Sequence, residues 1–277
     1  MHGLGNDYLY LYSEEVPENV VDLAIKYSDR HFGVGSDGLI YILPSEVADF
    51  KMRIFNADGS EAKMCGNGIR CVGKYVYDRG YTDKTEVTVE TLSGVKTLKL
   101  AVEDGRVAQV TVEMGRAVVE DQREVNIACG LFYDDVTRRF CESRNGFEPV
   151  PVIPVDMGNP HAVIFCEDAE KAPVDVVGPA IEKNAAFPDG VNVEFVQRIS
   201  GSELRMRVWE RGSGITWACG TGSCASVAAA VAARMCKRGA DVTVHLDGGD
   251  LTVSVDADNN VLMTGPAAFV CDGTTIE

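Results

Sequence analysis

The sequence predicts an α+β fold made of two related halves, and three observations predict it. The first is an ungapped internal repeat. KMRIFNADGSEAKMCGNGIRC at 51–71 aligns with RMRVWERGSGITWACGTGSCA at 205–225, which sets Cys65-Gly66-Asn67-Gly68 against Cys219-Gly220-Thr221-Gly222, 154 positions on. The second is a helical spacing of apolar residues just after each of these motifs. The third is a set of short alternating segments around tight-turn signals, the mark of hairpins.

In the first half, 51–55 reads as a strand and 56–63 as a turn-rich loop. Ile69, Val72 and Val76 then recur at helical spacing, with Gly80 as a C-terminal cap. Segments 85–91, 96–102 and 107–113 alternate, and Asp104-Gly105 between the last two is a strong hairpin signal. The second half repeats the plan. A strand at 204–209 precedes an Ala-rich helix at 223–237 capped by Gly239, and strands follow at 242–246, 251–255 and 261–264. Fainter echoes pair Gly5-Asn6 with Gly158-Asn159 and Asp37-Gly38 with Asp189-Gly190. Links this short favour mostly antiparallel pairing. Gly33-Val34-Gly35-Ser36-Asp37-Gly38 matches a dinucleotide fingerprint in letters only. That site needs a buried strand before it and a helix after it, whereas here a charged stretch precedes it and the strand-like 39–43 follows.

The 277 residues carry 26 Lys and Arg against 42 Asp and Glu, a net charge of −16, with no basic block. Such a surface repels phosphate backbones, so no nucleic-acid partner is expected. No apolar run approaches the roughly 20 residues of a membrane span, and the N-terminal residues lack a signal-peptide pattern, so the expected setting is cytoplasmic and no membrane is involved. Nine irregularly spaced cysteines without a C-x-x-C pair argue against a disulfide framework and against a zinc site. Seven of them, Cys71, Cys129, Cys141, Cys166, Cys224, Cys236 and Cys271, read as core thiols.

Cys65 and Cys219 read differently, because each opens a helix. A helix N-terminus carries partial positive charge and unpaired N–H groups, which favours a thiolate and can hold a carboxylate. Two such loops facing one small acid suit stereoinversion. One thiolate removes the α-proton, the opposite thiol returns a proton on the other face, and helix N–H groups stabilise the charge that develops on the carboxylate. No metal and no cofactor are required by that chemistry.

At these residues the chain resembles the diaminopimelate epimerases, within the superfamily of cofactor-independent two-thiol racemases. The resemblance rests on His2-Gly3-Leu4-Gly5-Asn6-Asp7, on Phe55 to Ser60 running into Met64-Cys65-Gly66-Asn67-Gly68-Ile69-Arg70-Cys71, on Gly158-Asn159-Pro160-His161, on Asn192-Val193-Glu194, and on Glu210-Arg211-Gly212 running into Ala218-Cys219-Gly220-Thr221-Gly222. It implies that Cys65 and Cys219 are the acid/base thiols. Gly66, Asn67, Gly220 and Thr221 would bind the reacting carboxylate, and Asn6, Asn56, Asn159, Asn192 and Arg211 the distal end of the substrate. Glu210 would hold the α-ammonium or, with His161, tune the thiols. It further implies two pseudo-symmetric domains, 1–115 plus 265–277 and 116–264, each a curled sheet around a central helix. The implied partner is a small amino-acid substrate, with a homodimer as the assembly. The chain departs from the pattern at Gly38, where Gln is common, at Ile215, where Glu is common, and at Cys271, where an aromatic at the dimer contact is common. The expected reaction is epimerisation of LL-diaminopimelate to the meso form. The alternatives are a histidine-, proline- or hydroxyproline-type racemase and a non-catalytic amino-acid-binding protein.

Overall fold

A computed structural model describes residues 1–128 and 147–275. The chain forms two compact units, one of residues 1–114 and 263–277 and one of residues 115–262. Each is an α+β body with a mixed sheet.

The first unit contains β1 (Leu9–Tyr12), α1 (Val20–Ser28), β2 (Gly38–Leu43), β3 (Phe50–Asn56), α2 (Gly66–Asp78), β4 (Glu86–Thr91), β5 (Gly94–Glu103) and β6 (Arg106–Arg116). The antiparallel links β2–β3, β4–β5 and β5–β6 are the hairpins that the turn signals predict. Asp104 and Gly105 both take positive φ, 48° and 75°, as a two-residue hairpin turn demands. Two pairings, β1–β2 and β3–β4, are parallel. The short-link expectation fails there because α1 and α2 fill those links and act as crossovers. Strand β2 is buried along its whole length, since α1 packs on Leu39, Tyr41 and Leu43 while Ile40 faces the start of α2. Burial on both faces is why GLIYIL is a continuous apolar run.

The second unit contains β7 (Arg123–Ala128), β8 (Phe147–Asp156), β9 (Pro160–Cys166), α3 (Val174–Glu182), β10 (Asn192–Arg198), β11 (Glu203–Glu210), α4 (Gly220–Ala232), β12 (Val242–Leu246) and β13 (Gly249–Val255), and β14 (Asn260–Gly265) begins in it and ends in the first unit. From β9 onward it repeats the succession of the first unit. The β9–β10 pair is parallel across α3, β10–β11 is antiparallel, and β11–β12 is parallel across α4. Helix α3 covers one face through Val174, Val177 and Ile181, packed against Val193 and Phe195. Helix α4 is buried from Ser223 to Val231, as an Ala-rich helix apolar on every side should be.

The expected reach of α4 to position 237 is too long. Arg234 turns left-handed at φ 59°, and the N–H groups of Met235 and Cys236 fold back onto the Ala230 carbonyl. Gly239 therefore caps nothing, and its N–H bonds the Val255 carbonyl instead. The fingerprint-like 33–38 is a loop between α1 and β2, with no helix after it. No helix among the described residues is long and apolar enough to cross a membrane.

Candidate active site

In the first unit the N-terminal residues form a tight hairpin. His2 pairs with Asp7 and Gly3 with Asn6, around Leu4 and Gly5 at positive φ. The hairpin lies on the start of α2 so closely that a Cβ on Gly3 would sit 2.9 Å from the Asn67 carbonyl oxygen. This brings Asn6 to Cys65, whose Sγ donates to Asn6 Oδ1 at 3.3 Å. The amide is oriented from behind, because Asn6 Nδ2 donates to Asp37 Oδ2 at 2.8 Å and Arg30 donates to Asp37 Oδ1 at 3.0 Å.

Cys65 is the N-cap of α2, and its Sγ accepts the Gly68 N–H at 3.3 Å. The helical ladder begins with Ile69 N–H on the Cys65 carbonyl, so the N–H groups of Gly66 and Asn67 lie ahead of it. Arg70 is fully buried beneath this turn and donates to the Gly66 carbonyl at 3.0 Å, to Asn67 Oδ1 at 2.9 Å and to the Pro266 carbonyl at 3.2 Å. Asn56 accepts from the Tyr8 hydroxyl at 3.3 Å and donates to Ser60 Oγ at 3.1 Å.

The second unit repeats the cap and changes its surroundings. Cys219 is the N-cap of α4, and its Sγ accepts the Gly222 N–H at 3.3 Å, the same distance as its counterpart. The N–H groups of Gly220 and Thr221 lie ahead of the ladder, which begins with Ser223 N–H on the Cys219 carbonyl. Thr221 Oγ1 lies 3.6 Å from Sγ and accepts from Asn159 Nδ2 at 3.3 Å. Asn159 Oδ1 is 3.1 Å from His161 Nε2, and His161 Nδ1 is 2.6 Å from Glu194 Oε1. Glu210 accepts from Thr216 Oγ1 and from the Cys219 thiol. Asn192 donates to the Pro160 carbonyl at 3.1 Å and accepts the Arg211 N–H at 2.9 Å, so its amide fixes backbone. The Arg211 guanidinium donates to the Asp189 carbonyl at 2.8 Å. Its stem lies across Gly190, where a Cβ would come within 2.8 Å of Arg211 Cδ.

Electrostatics corrects one expectation. A helix N-terminus alone would lower the Cys219 titration, yet burial pushes this thiol well up, and the charges of Glu210 and Glu194 push it further. The Gly222 N–H and Thr221 pull the other way and lose. Burial likewise raises the Glu210 carboxyl, opposed by its bonds to Thr216 and Cys219. Thiol and carboxylate thus compete for one proton.

The described cysteines are free thiols. Cys71, Cys224 and Cys236 are buried as core thiols should be, and burial pushes up Cys71 and Cys236. Cys166 is half-buried, and Cys271 is exposed on the C-terminal segment, so neither is a full core residue. Cys129 and Cys141 lie outside the described residues. Gly38 offers no room for a side chain, since a Cβ there would meet the Phe55 carbonyl oxygen at 2.2 Å. Ile215 is exposed on the short strand Gly214–Thr216.

The sequence motifs gave Asp37, Arg70, Glu182, Glu194 and Thr216 no role. Glu182 ends α3 and accepts from Trp209 Nε1 at 2.6 Å and from the Gly212 N–H at 3.1 Å, which clamps the Glu210-Arg211 turn from both sides. Glu194 carries a readable signal, as a charge inside the apolar strand NVEFV.

The family model for diaminopimelate epimerase matches residues 1–120 and 153–270. The chain belongs to the diaminopimelate epimerase family. It is 50% identical to the diaminopimelate epimerase of Acetivibrio thermocellus, covering 99% of this chain and 96% of that one. It is 48% identical to that of Geobacillus thermodenitrificans, covering 99% and 94%. The diaminopimelate epimerase of Methanococcus maripaludis is 47% identical, covering 99% and 97%. Among solved structures, a probable proline racemase from Agrobacterium radiobacter superposes with a TM-score of 0.70 at 17% identity, covering 100% of this chain and 92% of that one. A hydroxyproline epimerase from Agrobacterium vitis gives 0.62 at 18%, covering 91% and 83%. At such identities these two share the fold with this chain.

Proposed function

We propose that the chain is an isomerase that interconverts LL- and meso-diaminopimelate by proton transfer between two thiols, Cys65 and Cys219. Family membership supports the substrate. The observation that carries the mechanism is the repeated cap: two thiols at equivalent positions, each holding the N–H of the third helical residue at 3.3 Å.

In one direction, the thiolate of one cysteine takes the α-proton and becomes a thiol. The electron pair left on carbon spreads into the α-carboxylate, whose new charge meets the N–H groups of Gly66, Asn67, Gly220 and Thr221. The other thiol gives its proton to the opposite face and becomes the thiolate. The cycle closes when the two thiols exchange protons with solvent. Glu210, bonded to the Cys219 thiol, is the group that takes and returns its proton. Asn6 and the Gly68 N–H hold the Cys65 sulfur in line. The planar guanidinium of Arg211 suits a distal carboxylate, and Asn amides serve an ammonium or a carboxylate equally. Free thiols of this kind persist in a reducing compartment, so we infer a cytoplasmic setting.

The test is epimerisation in deuterium oxide. LL-diaminopimelate should gain deuterium at the inverted centre, while proline, hydroxyproline and histidine should not. Cys65→Ala and Cys219→Ala should each lower the rate by about 10²–10⁴-fold. Full activity in either variant would refute the two-thiol mechanism.

A further inference from the structure

We propose that Glu194 is a positioning residue for Cys219, a buried carboxylate that holds the His161 ring by Nδ1 and fixes a negative charge behind the first turn of α4. This rests on the reading of Cys219 as an acid/base thiol.

The internal repeat carries the inference, because each unit serves as the control for the other. Position 194 corresponds to position 40 by strand register, since Ile40 pairs with Ile54 and Glu194 with Val208, which lies 154 residues after Ile54. Both sit behind the glycine that bonds the thiol. A Cβ on Gly68 would lie 2.7 Å from Ile40 Cδ1, and a Cβ on Gly222 would lie 2.8 Å from Glu194 Oε1. The same seat therefore holds a methyl group in one unit and a carboxylate in the other. The exchange is not isolated. Tyr8 and Asn56, a hydrogen-bonded pair in the first unit, correspond to His161 and Glu210 in the second. An isoleucine, a tyrosine and an asparagine in one unit give way to two acidic side chains and an imidazole in the other.

A carboxylate in this seat is costly. Glu194 is 0% exposed, and its Oε2 is a buried atom without a hydrogen-bond partner among the described residues. Packing would be better served by the isoleucine of the other unit, so the charge has a purpose other than stability. Its geometry supplies one. Oε1 at 2.6 Å from Nδ1 orients the imidazole as an acceptor would, and so presents Nε2 to Asn159 Oδ1 at 3.1 Å. Asn159 then holds Thr221, which flanks the sulfur. The titratable groups around the thiol are His161 from β9, Glu194 from β10 and Glu210 from β11. Glu194 and His161 both have fully buried side chains and neither is bonded to the sulfur among the described residues, so Glu194 acts on Cys219 through charge and through His161.

The experiment follows the ¹³Cβ shift of labelled cysteines against pH in wild type, Glu194→Gln and Glu194→Asp, with kcat and KM measured alongside. In Glu194→Gln the Cys219 titration should move to lower pH while that of Cys65 stays, and kcat should fall at least about 10-fold with KM within about two-fold. Glu194→Asp keeps the charge and should leave the Cys219 titration in place. A Cys219 titration in Glu194→Gln that coincides with wild type, or a wild-type kcat, overturns the proposal. If Glu194→Gln does not fold, ¹⁵N spectra of the wild-type histidines decide. A proton on His161 Nδ1 across the neutral range supports the proposal, and a bare Nδ1 overturns it. Neither spectroscopic arm uses substrate, so each stands even if the chain turns over a different amino acid.

Discussion

Cys65 and Cys219 occupy one backbone position twice, yet Cys65 leans on an amide and Cys219 on a carboxylate. That difference makes Glu210 the informative residue to change. Its carboxyl is raised by burial, so the folded chain holds its proton to a higher pH than the unfolded chain does. Across that interval the unfolded state releases the proton first, and stability falls as pH rises. Glu210→Gln removes the penalty. Its stability gain over wild type should be near zero at pH 4 and on the order of 1 kcal/mol at pH 8, read from urea melts at both values. The same variant should titrate Cys219 at lower pH, because a charge that raises the thiol is gone, and should epimerise at least about 10²-fold more slowly. The candidate site was legible at this scale where the two halves repeat the same residue, as at both thiols and their glycines. Asp37, Arg70 and Thr216 were not legible. Each acts through hydrogen bonds that only the folded chain brings about, Asp37 with Asn6 and Arg30, Arg70 with Gly66, Asn67 and Pro266, and Thr216 with Glu210.

Helices α2 and α4 place their thiols by the same cap, but they meet their sheets differently. Alanine normally stabilises a helix interior by about 1 kcal/mol over glycine. At Gly68 the added methyl would meet the tip of Ile40 at 2.7 Å, an atom that a small side-chain rotation can move. At Gly222 it would meet a buried carboxylate oxygen at 2.8 Å and the Cys219 sulfur at 3.2 Å. Gly68→Ala should therefore change stability by less than about 1 kcal/mol, whereas Gly222→Ala should cost about 1–3 kcal/mol and displace the thiol. Parallel urea melts and rate measurements would show the contrast, and equal effects would contradict this packing account. The elements that were legible, α2, α4 and the hairpin strands, have regular periodicity and turn residues. Helix α3 hides its periodicity behind Pro173, Gly178 and Pro179. Proline suits the N-terminal boundary. Gly178 is set by tertiary contact, because a Cβ there would lie 2.5 Å from Trp209 Cβ. Helix α1 was masked by its polar neighbours, and with α1 and α3 unread, the parallel pairs they span went unread too.

At the scale of the whole molecule, the chain leaves the first unit after Met114 and returns to it at Met263, so that unit is closed by its last residues. The returning segment is tied to both ends of α2. Near the thiol, Pro266 accepts from the buried Arg70 guanidinium, and Ala268 exchanges two backbone hydrogen bonds of 3.0 Å with His2 on the hairpin that carries Asn6. At the far end, the Arg79 guanidinium lies 4.8 Å from the centre of the Phe269 ring and pairs with Asp272. Truncation after Gly265 removes all of these together. A hydrogen bond from a charged group contributes about 1.5–3 kcal/mol, and Arg70 would keep its charge without that acceptor. The loss should lower the unfolding temperature by about 5–10 °C. Activity should fall further than stability alone predicts, because Arg70 and the hairpin both support the Cys65 turn. Truncation after Asp272 keeps every one of these contacts and should melt and turn over like the full chain. Calorimetry and rate measurements on the two truncations decide the point. If the shorter chain matched the longer one in both, the returning segment would be a passive tail and the first unit would end at β6.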